Sequence, residues 1–539
     1  MIRIPQRQMW MAHVLWITTL VVITWLFAFN DHPLRALWPS LVALAVVFGT
    51  RQVLIGLLAG AIAGALILTE GNPFGAMDQL MRNQLLPIFG SEWKLGALAF
   101  TLLLGGFVAL MEASRGLHAL MKAVLGNGRD SPRRVQLGVT GFGLLVFFDG
   151  LANTMLVGRL MRNAVDRVGV SREKLAYLAD ATGSAVACLA FVSTWIAFQL
   201  AMIREGYAAV GLEAGAYRLF FLSLPANFYC WFTLVMVLVC ALRDFNLGPM
   251  RHAEMQARKE PKIDSATDDP SDRNTHWLCA VIPVTVLVFA VPVIAYLMGA
   301  DSIWPITPAS FVEAYGAAEN YVPRILVLAA LVASMVAAVF LWMHRRKHAS
   351  HDEPSVAKVY LSGMRDLLGP IGILLAAWLL GGAASELGAG KAISTLLGKQ
   401  VSVTWIPLLV FLTGSAISFS TGTSWGTMAI LMPLVIPVIH DIGDGVMDES
   451  LVAACIGATF SGAVFGDHCS PFSDTTLVAS MAAGIQPMDH VRTQLPFALI
   501  TAGVAALVGF LPLGLGMPAW LSLIAGTILL FVLPVFQRR

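Results

Sequence analysis

The fold of this chain is decided by one stretch of its sequence, Gly466-Asp467-His468-Cys469-Ser470-Pro471-Phe472-Ser473-Asp474-Thr475-Thr476. The stretch places two carboxylates, several hydroxyls and a proline inside a segment that is otherwise apolar enough to cross a membrane. A charged side chain at the centre of a bilayer costs about 3 kcal/mol or more unless it is solvated, paired or bound to an ion. The proline also interrupts the helix, and interrupted backbone is tolerated in a membrane only inside protein or beside a cavity. The stretch therefore predicts an ion-binding site.

The composition is that of a polytopic membrane protein. Of the 539 residues, 57% are hydrophobic and 13% are charged, whereas soluble domains carry about 25% charged residues. The net charge of +2 lies in short loops, which disfavours a nucleic-acid-binding face. The cysteines show no paired spacing and form no cluster with histidine, so neither disulfides nor a transition-metal site are expected. We expect no enzymatic activity and no cofactor.

Apolar stretches predict an all-α protein with about 12 full spans. The stretches lie near residues 9–29, 36–50, 52–69, 95–112, 175–203, 218–241, 276–298, 323–343, 362–387, 451–480, 492–513 and 518–536. Two further stretches, 136–166 and 402–440, are too long for one span, too short for two, and polar and glycine-rich at their centres. We expect each to form a re-entrant hairpin whose tip stops near the middle of the membrane.

The two halves of the chain resemble each other, and charge indicates that they are inverted. Leu104-Gly105-Gly106 recurs as Leu380-Gly381-Gly382, and Ala181-Thr182 recurs as Ala458-Thr459. Residues 159–174, after the first hairpin, carry five Lys and Arg, whereas residues 441–449, after the second, are acidic and carry none. Basic loops stay in the cytoplasm, so the first hairpin should open inward and the second outward. An inverted repeat with broken helices follows.

This pattern predicts a multi-pass protein of the bacterial inner (plasma) membrane with both termini in the cytoplasm. The expected segments are an N-terminal span 1–35, a first repeat 36–241, a charged cytoplasmic linker 242–275, a second repeat 276–513 and a C-terminal span 514–539. The linker alternates in charge, which is typical of a solvated tether. The lipid bilayer is therefore a partner. The sequence leaves open whether the protein forms a homodimer.

Inverted repeats place their binding sites near the middle of the membrane, where the polar clusters of the two halves should meet. The carboxylates expected to bind a cation or carry a proton are Asp149, Asp180, Asp467 and Asp474. The expected supporting ligands are Asn153, Thr154, Thr182, Thr421, Thr423, Ser424, Ser470, Ser473 and Thr475. Oxygen donors of these kinds suit a hard cation, so Na⁺ is the metal expected at these residues. A buried carboxylate that releases its ion should take up a proton instead, which is the physical basis of antiport.

Several residues keep a second interpretation. The alternative interpretation of the carboxylates is that they cap broken helices or pair with arginine. His468 is either a pH sensor or a polar residue satisfied by a neighbouring carbonyl. Trp195 and Trp425 either pack the hairpins or line a cavity for an organic solute. Glu112 and Glu386 occupy equivalent positions near helix ends, where interfacial carboxylates are common, and their role stays open.

The stretch that begins at Gly466 resembles the Gly-Asp-x-x-Ser-Pro-x-Ser-Asp-Thr-Thr signature of the NhaC family of sodium/proton antiporters. The segments 421–427, 171–177 and 180–182 resemble other parts of that family, and the resemblance extends from about residue 95 to 513. It implies the ion-transporter superfamily fold and a secondary transporter that exchanges Na⁺ for H⁺ by alternating access. Na⁺ and H⁺ are then the transported partners.

The chain departs from this family at two places. The first hairpin carries one acid, Asp149, where the family often has paired acids and a tyrosine, and Ala185 stands where proline is usual. Relatives in the family also exchange organic solutes. A Na⁺- or H⁺-coupled transporter of a small carboxylate or amino acid is therefore the main alternative. An intramembrane aspartyl protease with Asp149 and Asp467 as its catalytic pair is disfavoured by the duplicated hairpins and the surplus of oxygen ligands.

Overall fold

The computed structural model shows an all-α architecture, as the sequence predicts. It describes residues 6–50, 52–125, 131–259, 275–304, 307, 310, 313–314, 317–348, 354–389, 391–392, 395, 402–443, 445–471 and 473–537. Every regular element within these ranges is helical. Residues 260–274 of the predicted linker, Phe472 of the deciding stretch and both chain ends lie outside the described residues.

The helices follow one another with short connections. Those before residue 260 are α1 Gln6–Phe29, α2 Trp38–Thr50, α3 Val53–Leu68, α4 Pro73–Asp78, α5 Leu86–Gly90, α6 Glu92–Ala113, α7 Gly116–Leu125, α8 Pro132–Leu145, α9 Gly150–Arg167, α10 Arg172–Leu189, α11 Thr194–Ala208, α12 Ala216–Ser223, α13 Phe228–Arg243 and α14 Gly248–Lys259. Those after it are α15 Leu278–Gly299, α16 Val322–His348, α17 Val356–Asp366, α18 Leu368–Glu386, α19 Ile406–Thr421, α20 Ser424–Ile442, α21 Glu449–Cys469, α22 Asp474–Ala483, α23 Pro487–Val504, α24 Leu511–Gly514 and α25 Ala519–Gln537. Short 3₁₀ turns (Pro33–Ala36, Leu224–Ala226, Ala318–Tyr321 and Val403–Trp405) and π-helical segments (Gln79–Leu85 and Ala505–Phe510) join some of them.

Within the described residues, nine helices are long and apolar enough to cross a membrane, or ten if one bent pair counts as a span. Helices α2 and α3, predicted as spans, have 13 and 16 residues, and a full crossing needs about 20. The number of 12 spans therefore stays a prediction. Both arms of the second hairpin pass the same length test, as Val403–Thr421 and Ser424–Ile442. Its re-entrant character also stays a prediction.

Both predicted hairpins form helix–turn–helix units whose turns carry a polar cap. In the first, the Asp149 carboxylate accepts a hydrogen bond from the Ala152 N–H at 2.7 Å, which satisfies a free donor at the start of α9. In the second, the Thr423 hydroxyl accepts from the Gly426 N–H at 3.2 Å, at the start of α20. Gly422 ends α19 with φ 70°, a left-handed conformation that glycine adopts without strain. The hairpin turns thus follow from these local sequences.

The helix starts recur at nearly the same offset as the sequence motifs, which recur 276 and 277 positions apart. Ser424 lies 274 positions after Gly150, and Ile406 lies 274 positions after Pro132. After each hairpin comes a helix that is broken once. The first is α10–α11, bent by 49° across residues 190–193, and the second is α21–α22, broken across residues 470–473. Ser193 and Ser473 cap the helices that restart. The inverted orientation of the second set stays a prediction.

The two halves interlock around α21. This helix packs against α19 and α20 of its own hairpin and against α12 and α13 of the first half. Helix α22 packs against α9 and α10, and α11 packs against α20. Each broken helix therefore lies against the hairpin of the opposite half, and the two breaks come to the same region of the bundle.

Part of the predicted solvated linker is packed. Residues 248–259 form α14, and Glu254 on it is buried. Its carboxylate accepts hydrogen bonds from the N–H and the hydroxyl of Ser171, at 2.8 and 2.7 Å, at the start of α10. A negative charge is favourable at a helix N-terminus, which explains why an acidic residue turns inward here. The expectation of a solvated tether is wrong for this helix, and residues 260–274 lie outside the described part.

The close packing of α21 on α19 depends on glycine. A Cβ at Gly466 would overlap the backbone of Ser418 and Phe419, whereas a Cβ at Gly503 on α23 meets nothing within 4 Å. We expect Gly466→Ala to destabilise the protein by about 1–3 kcal/mol, because packed backbone cannot give way. Thermal unfolding in detergent measures this. Gly503→Ala, the matched control, should unfold at the wild-type temperature, and equal unfolding temperatures for the two variants would contradict the packing.

Candidate ion-binding site

Four interrupted helices meet at one cavity of about 440 Å³. The turn of each hairpin and the break in each of the following helices contribute to its wall. Seven of the predicted site residues line it, namely Asp149, Thr421, Thr423, Ser424, Asp467, Asp474 and Thr475. The free carbonyls at helix ends and the free N–H groups at helix starts give such a place the partial charges that bind ions.

Asp467 is the most constrained carboxylate of the cavity. Its side chain is 2% exposed, and its Oδ1 accepts a hydrogen bond from the Ser473 hydroxyl. Its Oδ2 is buried and has no hydrogen-bond partner. A buried charge with an unpaired oxygen is strongly unfavourable unless an ion or a proton compensates it. The geometry therefore leaves one buried carboxylate oxygen of this cavity-lining residue without compensation from the protein.

Hydroxyl groups surround this carboxylate. The Ser473 hydroxyl also lies 3.1 Å from the Thr475 hydroxyl and accepts from the Thr475 N–H at 3.2 Å, which caps α22. Ser470 is fully buried in the same break. Asp474 follows in the first turn of α22, where it is exposed to the cavity. The break in α21–α22 thus supplies two carboxylates and several hydroxyl oxygens over a few residues.

Asp149 combines both of the roles considered for it. It lines the cavity, yet its Oδ1 caps α9 and its Oδ2 accepts from the Thr194 hydroxyl at 2.9 Å. The Thr194 N–H donates to the Phe148 carbonyl at 2.9 Å. The hairpin turn and the break in α10–α11 are therefore held together at the cavity wall through residues 148–149 and 194.

Three predicted ligands of the first half do not line the cavity. The Asn153 amide donates to the Gly143 carbonyl at 2.6 Å, and the Thr154 hydroxyl donates to the Gly150 carbonyl at 3.0 Å. The Thr182 hydroxyl donates to the Leu178 carbonyl at 2.7 Å, one helical turn back. Hydroxyls inside helices commonly bond in this way. These residues pack the first hairpin against α10.

Asp180 also lies elsewhere, in an enclosed polar pocket between the halves. It is fully buried, and its Oδ2 is 3.2 Å from His490 Nε2 and accepts from the Gln494 amide at 2.8 Å. The same amide donates to the His468 carbonyl at 2.8 Å. His468 Nδ1 lies 3.0 Å from the Tyr229 hydroxyl. The His468 ring thus contacts a tyrosine, and both residues belong to this pocket.

Sequence reasoning missed several cavity residues. Gln52 lines the wall from the start of α3, and Asp366 lines it from the end of α17. A carboxylate inside the apolar stretch 362–387 was the available signal for Asp366. Trp195 and Trp425 also line the cavity, with ring centroids 6.3 Å apart and planes at 78°. Both tryptophans therefore line the cavity, which was one of the two interpretations of these residues.

The cavity wall is acidic. Among the described residues that line it there are four aspartates and no Lys, Arg or His, and Arg51, next to Gln52, lies outside the described part. Within that part no three His, Cys, Asp or Glu side chains come together as a metal cluster. One unpaired carboxylate oxygen among hydroxyls suits a weakly held hard cation and does not suit zinc or copper.

A helical membrane bundle with interrupted helices around a polar cavity is the architecture of a secondary transporter. Residues 186–515 match the model of the Na⁺/H⁺ antiporter family. The chain therefore belongs to the Na⁺/H⁺ antiporter family, which confirms the resemblance found in the sequence.

Two relatives and one solved structure are similar to this chain. An uncharacterised protein of Haemophilus influenzae is 29% identical over 485 residues, which cover 88% of this chain and 90% of the relative. The malate-2H⁺/Na⁺-lactate antiporter of Bacillus subtilis is 35% identical over 150 residues, 27% of this chain and 29% of that protein. The YdaH transporter of Alcanivorax borkumensis has a similar fold, with a TM-score of 0.59 at 15% identity over 82% of this chain and 90% of that structure.

The contribution of the Ser473 cap to the stability of the protein should be measurable. We expect Ser473→Ala to lower stability by about 1 kcal/mol, because α22 loses its N-cap acceptor and Asp467 loses a hydrogen-bond donor. The apparent melting temperature in detergent measures this change. Ser522→Ala is the matched control, since the Ser522 hydroxyl is buried without a hydrogen-bond partner. A Ser473→Ala protein as stable as the control would show that the cap contributes nothing.

Proposed function

We propose that this protein exchanges Na⁺ for H⁺ across the bacterial plasma membrane by alternating access. The observation that carries the proposal is the unpaired Oδ2 of Asp467, buried where four interrupted helices meet. Membership of the Na⁺/H⁺ antiporter family supports the same activity. The proposed orientation has both termini in the cytoplasm, as the basic loops indicate.

Asp467 and Asp474 are the principal cation ligands in this proposal. Asp467 offers an oxygen that the protein itself does not satisfy, and Asp474 faces the open cavity a few residues away. Thr423, Ser424 and Thr475 stand on the same wall and offer hydroxyl oxygens. A cation that leaves must be replaced by positive charge, because two carboxylates in an apolar bundle repel each other. A proton meets that requirement, and exchange follows.

The movement required for alternating access takes place between sets of packed helices. Helices α11 and α22, which restart after the breaks, each pack on the hairpin of the opposite half. If the halves are inverted, rocking of one set of helices against the other opens the cavity first to one side and then to the other. The hairpins and broken helices would move while their caps keep the site intact.

Proteoliposomes with an acidic interior test this activity. An amine dye quenched by the internal acid should regain fluorescence when external Na⁺ is added, because internal protons leave in exchange. Asp467→Asn should lower the initial rate at least about tenfold, because an interaction with a charged group contributes about 1.5–3 kcal/mol. A wild-type rate in this variant would overturn the assignment of the cation site.

The matched control is Asp78→Asn. Asp78 is exposed at 61% and pairs with Arg82 one turn away, so its loss should leave exchange at the wild-type rate. Li⁺ and K⁺ are added in separate traces to measure cation preference. Failure of the wild-type protein to respond to any of these cations would refute Na⁺/H⁺ exchange altogether.

A second candidate function is supported by the size and walls of the cavity. A volume of about 440 Å³ lies in the range of about 300–1,000 Å³ typical of small-molecule sites, far above the needs of one ion. Trp195 and Trp425 add aromatic surface, and one relative is named as an exchanger of malate and lactate. A coupled carrier of a small organic solute fits these facts. The four aspartates favour a solute with an ammonium group, such as an amino acid, over a simple carboxylate.

The carrier alternative predicts a different response in the same liposomes. Leucine should elicit proton movement, whereas 2-hydroxyisocaproate, which has the same size and carboxylate but no ammonium group, should not. Trp425→Ala should reduce the leucine response, because cation–π and apolar contacts are lost. A response to Na⁺ alone that leucine leaves unchanged would eliminate the carrier; a response that requires leucine would replace the first proposal.

A further inference from the structure

We propose that the transported proton is held in the enclosed pocket of Asp180 and His490, separate from the cavity in which Na⁺ binds. The proposal rests on the Na⁺/H⁺ exchange proposed above and assigns its two ions to two sites. Asp180 and His490 are both fully buried, and neither lines the cavity. The pocket is thus a second ionisable site inside the bundle.

The hydrogen bonds of the pocket leave room for one more proton. A carboxylate at Asp180 accepts from Gln494 and, in the matching tautomer, from His490 Nε2–H. This leaves Asp180 Oδ1 and His490 Nδ1 buried without partners. A proton added to either atom changes the net charge of the pair from −1 to 0. The pair therefore binds one proton without any rearrangement of its existing hydrogen bonds.

A further atom of the pocket is also unsatisfied. Gln494 Oε1 is buried without a hydrogen-bond partner, as are Asp180 Oδ1 and His490 Nδ1. Each such acceptor or donor costs about 1–3 kcal/mol when it is kept from water. Several together in one pocket are unusual for a purely structural network, in which buried polar groups are satisfied. They are expected where protons arrive and leave.

The surroundings of Asp180 carry little positive charge. The titratable groups that reach it from the helices packed on α10 are His490 of α23, the three consecutive residues Asp467, His468 and Cys469 of α21, and Tyr229 of α13. Lys174 lies on the same helix as Asp180, but its ammonium group donates to Asn246 and to the Phe245 carbonyl. The negative charge of an ionised Asp180 must therefore be compensated by the histidines and by bound ions.

Gln494 connects the pocket to the cavity. Its amide bridges Asp180 Oδ2 and the His468 carbonyl, and His468 directly follows Asp467. In a low-dielectric interior, charges at neighbouring sites interact strongly. A deprotonated pocket attracts Na⁺ to Asp467, and a protonated pocket weakens its binding. Na⁺ and H⁺ then compete through the charge of the pocket, and they do not have to bind to the same carboxylate.

The pocket is also built across the two halves. Asp180 and Tyr229 come from the first half, whereas His468, His490 and Gln494 come from the second. Movement of the hairpins and broken helices against the other helices shifts α10 relative to α23, and this shift stretches or breaks the contact between Asp180 and His490. The same movement that opens the cavity therefore changes the proton affinity of the pocket.

Binding of radioactive Na⁺ to the full-length protein in detergent, measured between about pH 5 and pH 8 where histidine titrates, tests the proposal. The wild-type affinity should fall with decreasing pH, at most about tenfold per pH unit for one linked proton. Asp180→Asn should still bind Na⁺, with an affinity close to the acidic wild-type value and nearly independent of pH. His490→Gln should shift the midpoint of the pH dependence and keep the affinity at high pH.

A purely structural role for the pocket would lower the affinity of these variants and leave its pH dependence unchanged. Glu205→Gln is the matched control, since Glu205 is a largely buried carboxylate 3.5 Å from Lys94 and outside the pocket. It should keep the wild-type pH dependence. A wild-type pH dependence in Asp180→Asn would overturn the proton pocket and leave Na⁺/H⁺ exchange standing. Absence of Na⁺ binding by the wild-type protein would overturn both.

Discussion

A helix that stops inside an apolar bundle exposes N–H and C=O groups that apolar side chains cannot satisfy, and the rest of this structure depends on that constraint. The chain meets it four times with a polar residue at the restart, namely Asp149, Ser193, Thr423 and Ser473. Each cap must lie inside protein or beside water, so the four interruptions gather at one cavity. The interlocking of the halves around α21 then surrounds this cavity with helices. The acidic site is a product of the same requirement, because the groups that satisfy broken backbone are also ligands for ions.

The sequence predicted the parts of the site in which a polar residue interrupts an apolar segment. Asp467, Asp474, Thr423 and Ser424 stand out for this reason, and all of them line the cavity. The sequence also predicted the helix–turn–helix character of both hairpins, because glycines and capping residues mark their turns. What apolar length alone cannot give is the number of crossings. A helix of 13 residues such as α2 and a full span have the same composition.

The prediction of site residues failed where the face of the helix that carries a residue determines which environment its side chain enters. Asp180 and Thr182 are two positions apart, and their side chains enter different environments, neither of them the cavity. His490 and Gln494, which complete the pocket of Asp180, lie more than 300 positions further along the chain. The internal repeat predicts that the polar clusters of the two halves meet, but it gives no signal for these two partners of Asp180. Asp366 differs in kind, since a carboxylate inside an apolar stretch could have been recognised by the criterion applied to Asp467.

The double duty of Asp149 has a consequence for how this protein can change over evolutionary time. Its carboxylate both starts α9 and faces the cavity, so a substitution there alters the hairpin and the cavity together. Thr423, which caps α20 and lines the cavity, is bound by the same restriction. Leu151 and Ile373 touch the cavity through apolar side chains that cap nothing. New specificities should therefore arise first at such positions, while the capping residues stay as they are and preserve the scaffold.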